Sequence, residues 1–116
     1  MIVGIQGTGS FSDYQVFLRA MAVTMSSLKE DDPYFYIYSA GPANINSMAM
    51  EFANLSERGL KARGKSIKYK AVAPNWIAEN ISDINYFAFL SKEREQVSKL
   101  VDEAKENNVE YGIFRY

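Results

Sequence analysis

Residues 2–10 read Ile2-Val3-Gly4-Ile5-Gln6-Gly7-Thr8-Gly9-Ser10. A short apolar run that ends in a glycine-rich turn is the pattern of a buried parallel strand entering a tight loop, and it ends the first strand near Gln6. Downstream, helices and strands alternate. Ser12 or Asp13 can cap a helix whose apolar positions Val16, Phe17, Ala20, Met21, Val23, Met25 and Leu28 recur at three and four, which carries it to about Leu28. After a polar connection closed by Pro33, Tyr34 to Tyr38 is aromatic and β-branched enough for a second strand inside the sheet. Ser39 to Asn46 reads as a turn-rich loop, and Met48, Ala49, Phe52, Ala53 and Leu55 form the apolar face of a second helix ended by Gly59 or Gly64. Ser66 to Ala73 alternates apolar residues with lysine, as expected of a half-exposed edge strand that stops at Pro74. Past an irregular stretch to Asp83, Tyr86 to Leu90 is the fourth strand. Val97, Leu100, Val101 and Ala104 mark a third helix, and Tyr111 to Phe114 a fifth strand.

Repeated strand-helix alternation implies right-handed crossovers and a parallel sheet covered on both faces. The expected fold is therefore α/β, doubly wound, a three-layer sandwich over residues 1–116 as one domain. Its five-stranded, mostly parallel sheet has the order 3-2-1-4-5. Ligands of such sheets bind outside the carboxyl ends of the strands where the winding reverses, here between strands one and four. The nearest loops begin at Gly7, Ala40 and Leu90.

Composition narrows the chemistry. The 116 residues are 47% hydrophobic and 23% charged, an ordinary globular balance. There is no cysteine and no histidine, so disulfides, thiolate or histidine metal sites, and Ser-His or Cys-His nucleophiles cannot be built from this sequence. No metal and no cofactor are expected. A net charge of -1 gives no broad footprint for nucleic acid, which is not an expected partner. The local basic run Lys61, Arg63, Lys65, Lys68 and Lys70 reads as a solvated helix end and strand edge. Without a charged leader or a long apolar stretch, the sequence is expected to be cytoplasmic and not membrane-bound. Tyr34, Tyr36 and Tyr38 share one strand face, which suggests packing under a helix or between subunits and hence a homo-oligomer.

Gly7-Thr8-Gly9-Ser10-Phe11-Ser12-Asp13-Tyr14 resembles the Gly-Ser-Arg-x-Phe-x-Asp-Tyr opening of the SLOG superfamily, especially its short stand-alone YspA-like members. Ser39 to Ala53 resembles that family's Ser-Gly-Gly-Ala-Arg-Gly-Ala-Asp-x-Leu-Ala-Glu-x-x-Ala block, with Gly41, Ala49, Glu51 and Ala53 in register. Pro74-Asn75-Trp76 is similar to its Pro-Ala-Asp-Trp, and Asp83 to Leu90 with Val109 to Tyr116 to its last two strands. The resemblance implies a Rossmann-like fold that binds a nucleotide-derived ligand, including the NAD-derived signals of antiviral defence. Stand-alone relatives also occur in phage genomes, which would place the protein in the host cytoplasm.

The implied ligand-binding residues are Gly7, Thr8, Gly9, Ser10 and Phe11 in the first loop, and Ser39, Ala40, Gly41, Asn44, Asn46 and Glu51 at the second. Asn46 stands at a family aspartate and can cap the second helix. Gly9 and Ala43 replace two family arginines, and residues 91–96 lack the family's third glycine loop. Non-catalytic sensing or sequestration of a nucleotide-like ligand is the leading expectation. Behind it stand a phosphoribohydrolase or N-glycosidase using Glu51 or Asp13, and an interaction protein that blocks a host factor.

Overall fold

The computed structural model describes residues 1–8, 11–91 and 99–115. The described elements run β1 (Ile2–Gly7), α1 (Tyr14–Met25), β2 (Tyr34–Ser39), α2 (Ala43–Ala62), β3 (Ser66–Ala71), α3 (Trp76–Glu79), a 3-10 turn (Ile81–Asp83), β4 (Tyr86–Ser91), α4 (Lys99–Glu106) and β5 (Glu110–Arg115). The five strands form one sheet in the order β3-β2-β1-β4-β5, and every pairing is parallel. The architecture is thus the expected doubly wound, Rossmann-like α/β sandwich, and the winding reverses between β1 and β4.

Alternation along the strands divides the core into two layers. Val3, Ile5, Phe35 and Ile37 face α1 and α2, where they meet Phe17, Ala20, Met21, Ala49 and Phe52. On the opposite face Phe87 and Phe89 pack with Ile77, Ile81, Val101 and Ala104. All six residues of β4 are buried, because this strand is covered on both sides.

Helix boundaries follow local chemistry. Asp13 caps α1, its Oδ1 accepting from the amides of Gln15 at 3.0 Å and Val16 at 3.2 Å, a device that stabilises a helix by about 1 kcal/mol. α1 stops at Met25, short of the expected Leu28. The Ser26 hydroxyl there donates back to the Val23 carbonyl, and the amides of Ser27 and Leu28 close four-residue turns onto Thr24 and Met25. α2 starts at Ala43, inside the stretch expected to be loop, because Ile45 is fully buried and anchors the first turn in the core. It ends at Ala62, ahead of Gly64 at φ +74°, so Gly64 rather than Gly59 closes it. The irregular stretch before Asp83 contains α3 and the 3-10 turn. Val97, at the expected start of the third helix, lies outside the described residues.

Lys65 corrects the solvated reading of the basic run. Only 5% exposed, it donates through Nζ to the carbonyls of Lys29 at 3.2 Å, Glu30 at 2.9 Å and Asp32 at 2.6 Å. One ammonium thereby ties the connection before β2 to the start of β3. Removing a charged donor from three carbonyls costs about 1.5–3 kcal/mol. Lys65→Met is therefore expected to lower the unfolding free energy by about that amount in urea titration, and an unchanged midpoint would show that the ammonium holds nothing in place.

Candidate functional site

The carboxyl ends of β1, β2 and β4 meet at the winding reversal, and Gly7 governs how closely. A Cβ on Gly7 would lie 2.2 Å from Ile45 Cδ1 and 2.7 Å from the Leu90 carbonyl oxygen, so no side chain fits there. The Gly7 amide donates to the Gly41 carbonyl at 3.2 Å, and the Thr8 amide to that of Leu90 at 3.1 Å. These amides stitch the three strand ends together, which occupies donors that a phosphate would otherwise use. The Phe11 amide closes a turn onto Thr8 at 3.1 Å, and the Phe11 ring is fully buried in the core beneath α1 and α2. Gly9 and Ser10 lie outside the described residues.

The second loop divides into an inner and an outer part. Ser39 and Ala40 are buried, and the Ala40 amide continues the β1–β2 pairing by donating to Ile5 at 2.8 Å. The Ser39 hydroxyl donates to Asn46 Oδ1 at 2.5 Å, which pins the strand end to the helix. Asn46 therefore does not cap α2 as expected. Because the helix begins at Ala43, residue 46 lies within its first turns, and the cap position falls to Pro42, which makes no side-chain hydrogen bond to the helix.

Gly41 is the outward-facing member. Its φ of +94° is a conformation that L side chains rarely adopt, yet a Cβ there would have open space. The Gly41–Pro42 peptide is cis. Beyond it, the amides of Ile45 and Asn46 reach the Pro42 carbonyl, both at 3.0 Å, and Asn44 Oδ1 also accepts from Ile45. Ala43 and Asn44 carry the first two helical amides, which no carbonyl of their own helix can satisfy.

The two helix amino ends at the reversal are thus unlike. The Asp13 carboxylate fills that of α1 with negative charge, whereas among the described residues no side chain caps α2 at its positive end.

Glu51 is exposed two turns into α2, and its charge reaches Tyr14 at the start of α1. The Tyr14 ring stacks on Phe17 with centroids 6.0 Å apart. Its hydroxyl is buried without a hydrogen-bond partner among the described residues. Burial, and secondarily the Glu51 carboxylate, raises the Tyr14 pKa above its ordinary value, so the group stays a neutral donor. In the sequence Tyr14 stands out only as the last residue of the first resembling segment. The unsatisfied hydroxyl arises from the meeting of α1 and α2, which no local pattern encodes.

Cavities of about 280, 290 and 250 Å3 are lined by none of these loop residues. Among the described residues no group of three or more acidic side chains is placed to hold a metal ion, and no helix is long and apolar enough to cross a membrane. The chain matches no protein-family model, no curated protein and no solved structure.

The two loop glycines should respond differently to alanine. Gly7→Ala introduces a clash that costs about 1–3 kcal/mol, and combining it with Ile45→Val, which removes the contacting methyl, should recover part of the loss. Gly41→Ala costs about 1–2 kcal/mol through backbone strain and should gain nothing from Ile45→Val. Equal rescue of both variants in denaturant melts would contradict this division.

Proposed function

We propose that the chain is a SLOG-like domain that binds a small nucleotide-derived ligand without converting it, as a sensor or a sequestering protein. The observation that carries the reading is the uncapped amino end of α2 beside Gly41, at the reversal of the sheet where ligands of this fold class bind. An anionic group of the ligand would accept from the amides of Ala43 and Asn44. Glu51, two turns farther along α2, would accept a hydrogen bond from a ribose hydroxyl or a base, and the Tyr14 phenol, buried in the free protein, would donate to that part of the ligand once binding opens its hydroxyl.

Catalysis is the weaker reading because Asp13 is committed to capping α1, which among the described residues takes away the carboxylate that the sequence offered beside Glu51 as acid or base. NAD-derived compounds and cyclic nucleotides are the ligand classes that the resemblance of the two loops suggests.

The test combines native mass spectrometry of freshly purified protein with calorimetric titration of nucleotides and NAD-derived cyclic compounds. Tyr14→Phe should leave the unfolding free energy of the free protein unchanged or higher, since a buried hydroxyl without a partner costs about 1–3 kcal/mol. The same variant should weaken ligand binding, and Glu51→Gln should weaken it about tenfold or more. A wild-type protein that carries no ligand and binds none of these compounds would overturn the proposal.

A further inference from the structure

The sheet face opposite α1 and α2 is covered unevenly. Helix α4 packs over β4 and β5, and α3 lies beside it with Ile77 against Gly4 of β1. Farther out, β2 and β3 leave a different surface. Tyr34, Tyr36 and Tyr38 alternate with the buried Phe35, Ile37 and Ser39, so the three rings share this face, and Tyr34 is 49% exposed. On β3 the alternation puts Lys68 and Lys70 beside them, both exposed.

Register makes this surface a repeat. Tyr36 pairs with Lys68 and Tyr38 with Lys70 across the two strands, so two successive rungs each carry one aromatic ring and one ammonium. Residues two apart on a parallel strand are separated by about 6.6 Å. Trp76 extends the aromatic wall by stacking on Tyr38, with centroids 4.6 Å apart and planes 18° from parallel. Lys68 Nζ lies 5.5 Å from the Tyr36 centroid, on a stem long enough to move to a phosphate. A cavity of about 280 Å3 opens among Tyr36, Tyr38, Lys68 and Lys70. Neither strand contains an aspartate or a glutamate. Asp32, just before β2, is paired with the Met1 ammonium at 2.7 Å.

We propose that this face binds single-stranded nucleic acid, one nucleotide per rung, with bases against Tyr36 and the Tyr38–Trp76 pair and phosphates on Lys68 and Lys70. Charge complementarity selects this occupant over a second copy of the chain, because two strands that present two lysines and contain no carboxylate repel their own image. It also reconciles the surface with the chain's net charge of -1. Two phosphate contacts form a local footprint, which suits a short, extended strand and not a duplex whose bases are already stacked. The surface is separate from the loops around Gly41, so the proposal stands or falls independently of the small-ligand reading.

Trp76 is the only tryptophan in the chain, so its fluorescence reports directly on the surface. Fluorescein-labelled 12-nucleotide oligothymidylate should bind saturably in anisotropy titrations at 50 mM salt, and the unlabelled oligomer should quench Trp76. With two phosphates neutralised, log K should fall with a slope of about -1.4 against log salt, or about sevenfold between 50 and 200 mM. Lys68→Gln with Lys70→Gln should flatten that slope, and Tyr36→Leu should weaken binding about fivefold or more, each with an unchanged circular dichroism spectrum. Tyr14→Phe and Glu51→Gln should bind the oligomer normally. The proposal is overturned by the absence of binding, by affinity that ignores the lysine pair, by equal affinity for a 12-base-pair duplex, or by light scattering that shows the face buried in a dimer which Tyr36→Leu dissociates.

Discussion

At the end of β1 the backbone of one residue must touch three others at once, and most of the molecule is arranged around that convergence. Gly7 lies against the Leu90 backbone of β4 and the Ile45 side chain of α2, while its amide reaches Gly41. Only a residue without a side chain permits this approach. The contact brings the carboxyl ends of the inner strands together where the winding reverses. It also seats the first turn of α2 and leaves Gly41 at the outer rim with an unusual φ. The proposed ligand position rests on the same convergence, because the Gly7 and Thr8 amides are engaged with Gly41 and Leu90 while, just past Gly41, α2 opens without a side-chain cap among the described residues.

The strands were legible because their burial follows directly from residue type. Ile2 to Ile5 and Tyr86 to Leu90 are apolar without interruption and became the covered interior strands, while the lysine alternation in residues 66–71 placed β3 at the edge. Helix starts were less legible. Asp13 caps as its chemistry suggests, but Asn44-Ile45-Asn46 looks like a turn until Ile45 is seen to be anchored in the core, a tertiary effect that overrides local propensity. Lys65 was misread for a related reason. Nothing nearby in sequence supplies its three carbonyl partners, which come from a connection more than thirty residues earlier.

The site was legible in position but not in the part each residue takes. Glycine after a strand is compatible with a ligand and equally with close packing. At Gly7 a Cβ would meet its neighbours at once, whereas at Gly41 it would meet none of the described residues. Phe11, one of the ligand-binding residues that the resemblance implies, is wholly buried. The Tyr34-Tyr36-Tyr38 ladder was visible from period two, but its pairing with Lys68 and Lys70 depends on register, and register is a property of the assembled sheet.

The central claim is that the strand-end amides are spent on structure and the opening amides of α2 are not. Residue-resolved hydrogen exchange on the free protein tests it without requiring a ligand to be known. The amides of Gly7 and Thr8 should be protected to a degree comparable with the interior of β1 and β4, and those of Ala43 and Asn44 should exchange close to the rate of an unstructured chain. Rapid exchange at Gly7 and Thr8 together with strong protection at Ala43 and Asn44 would contradict the account.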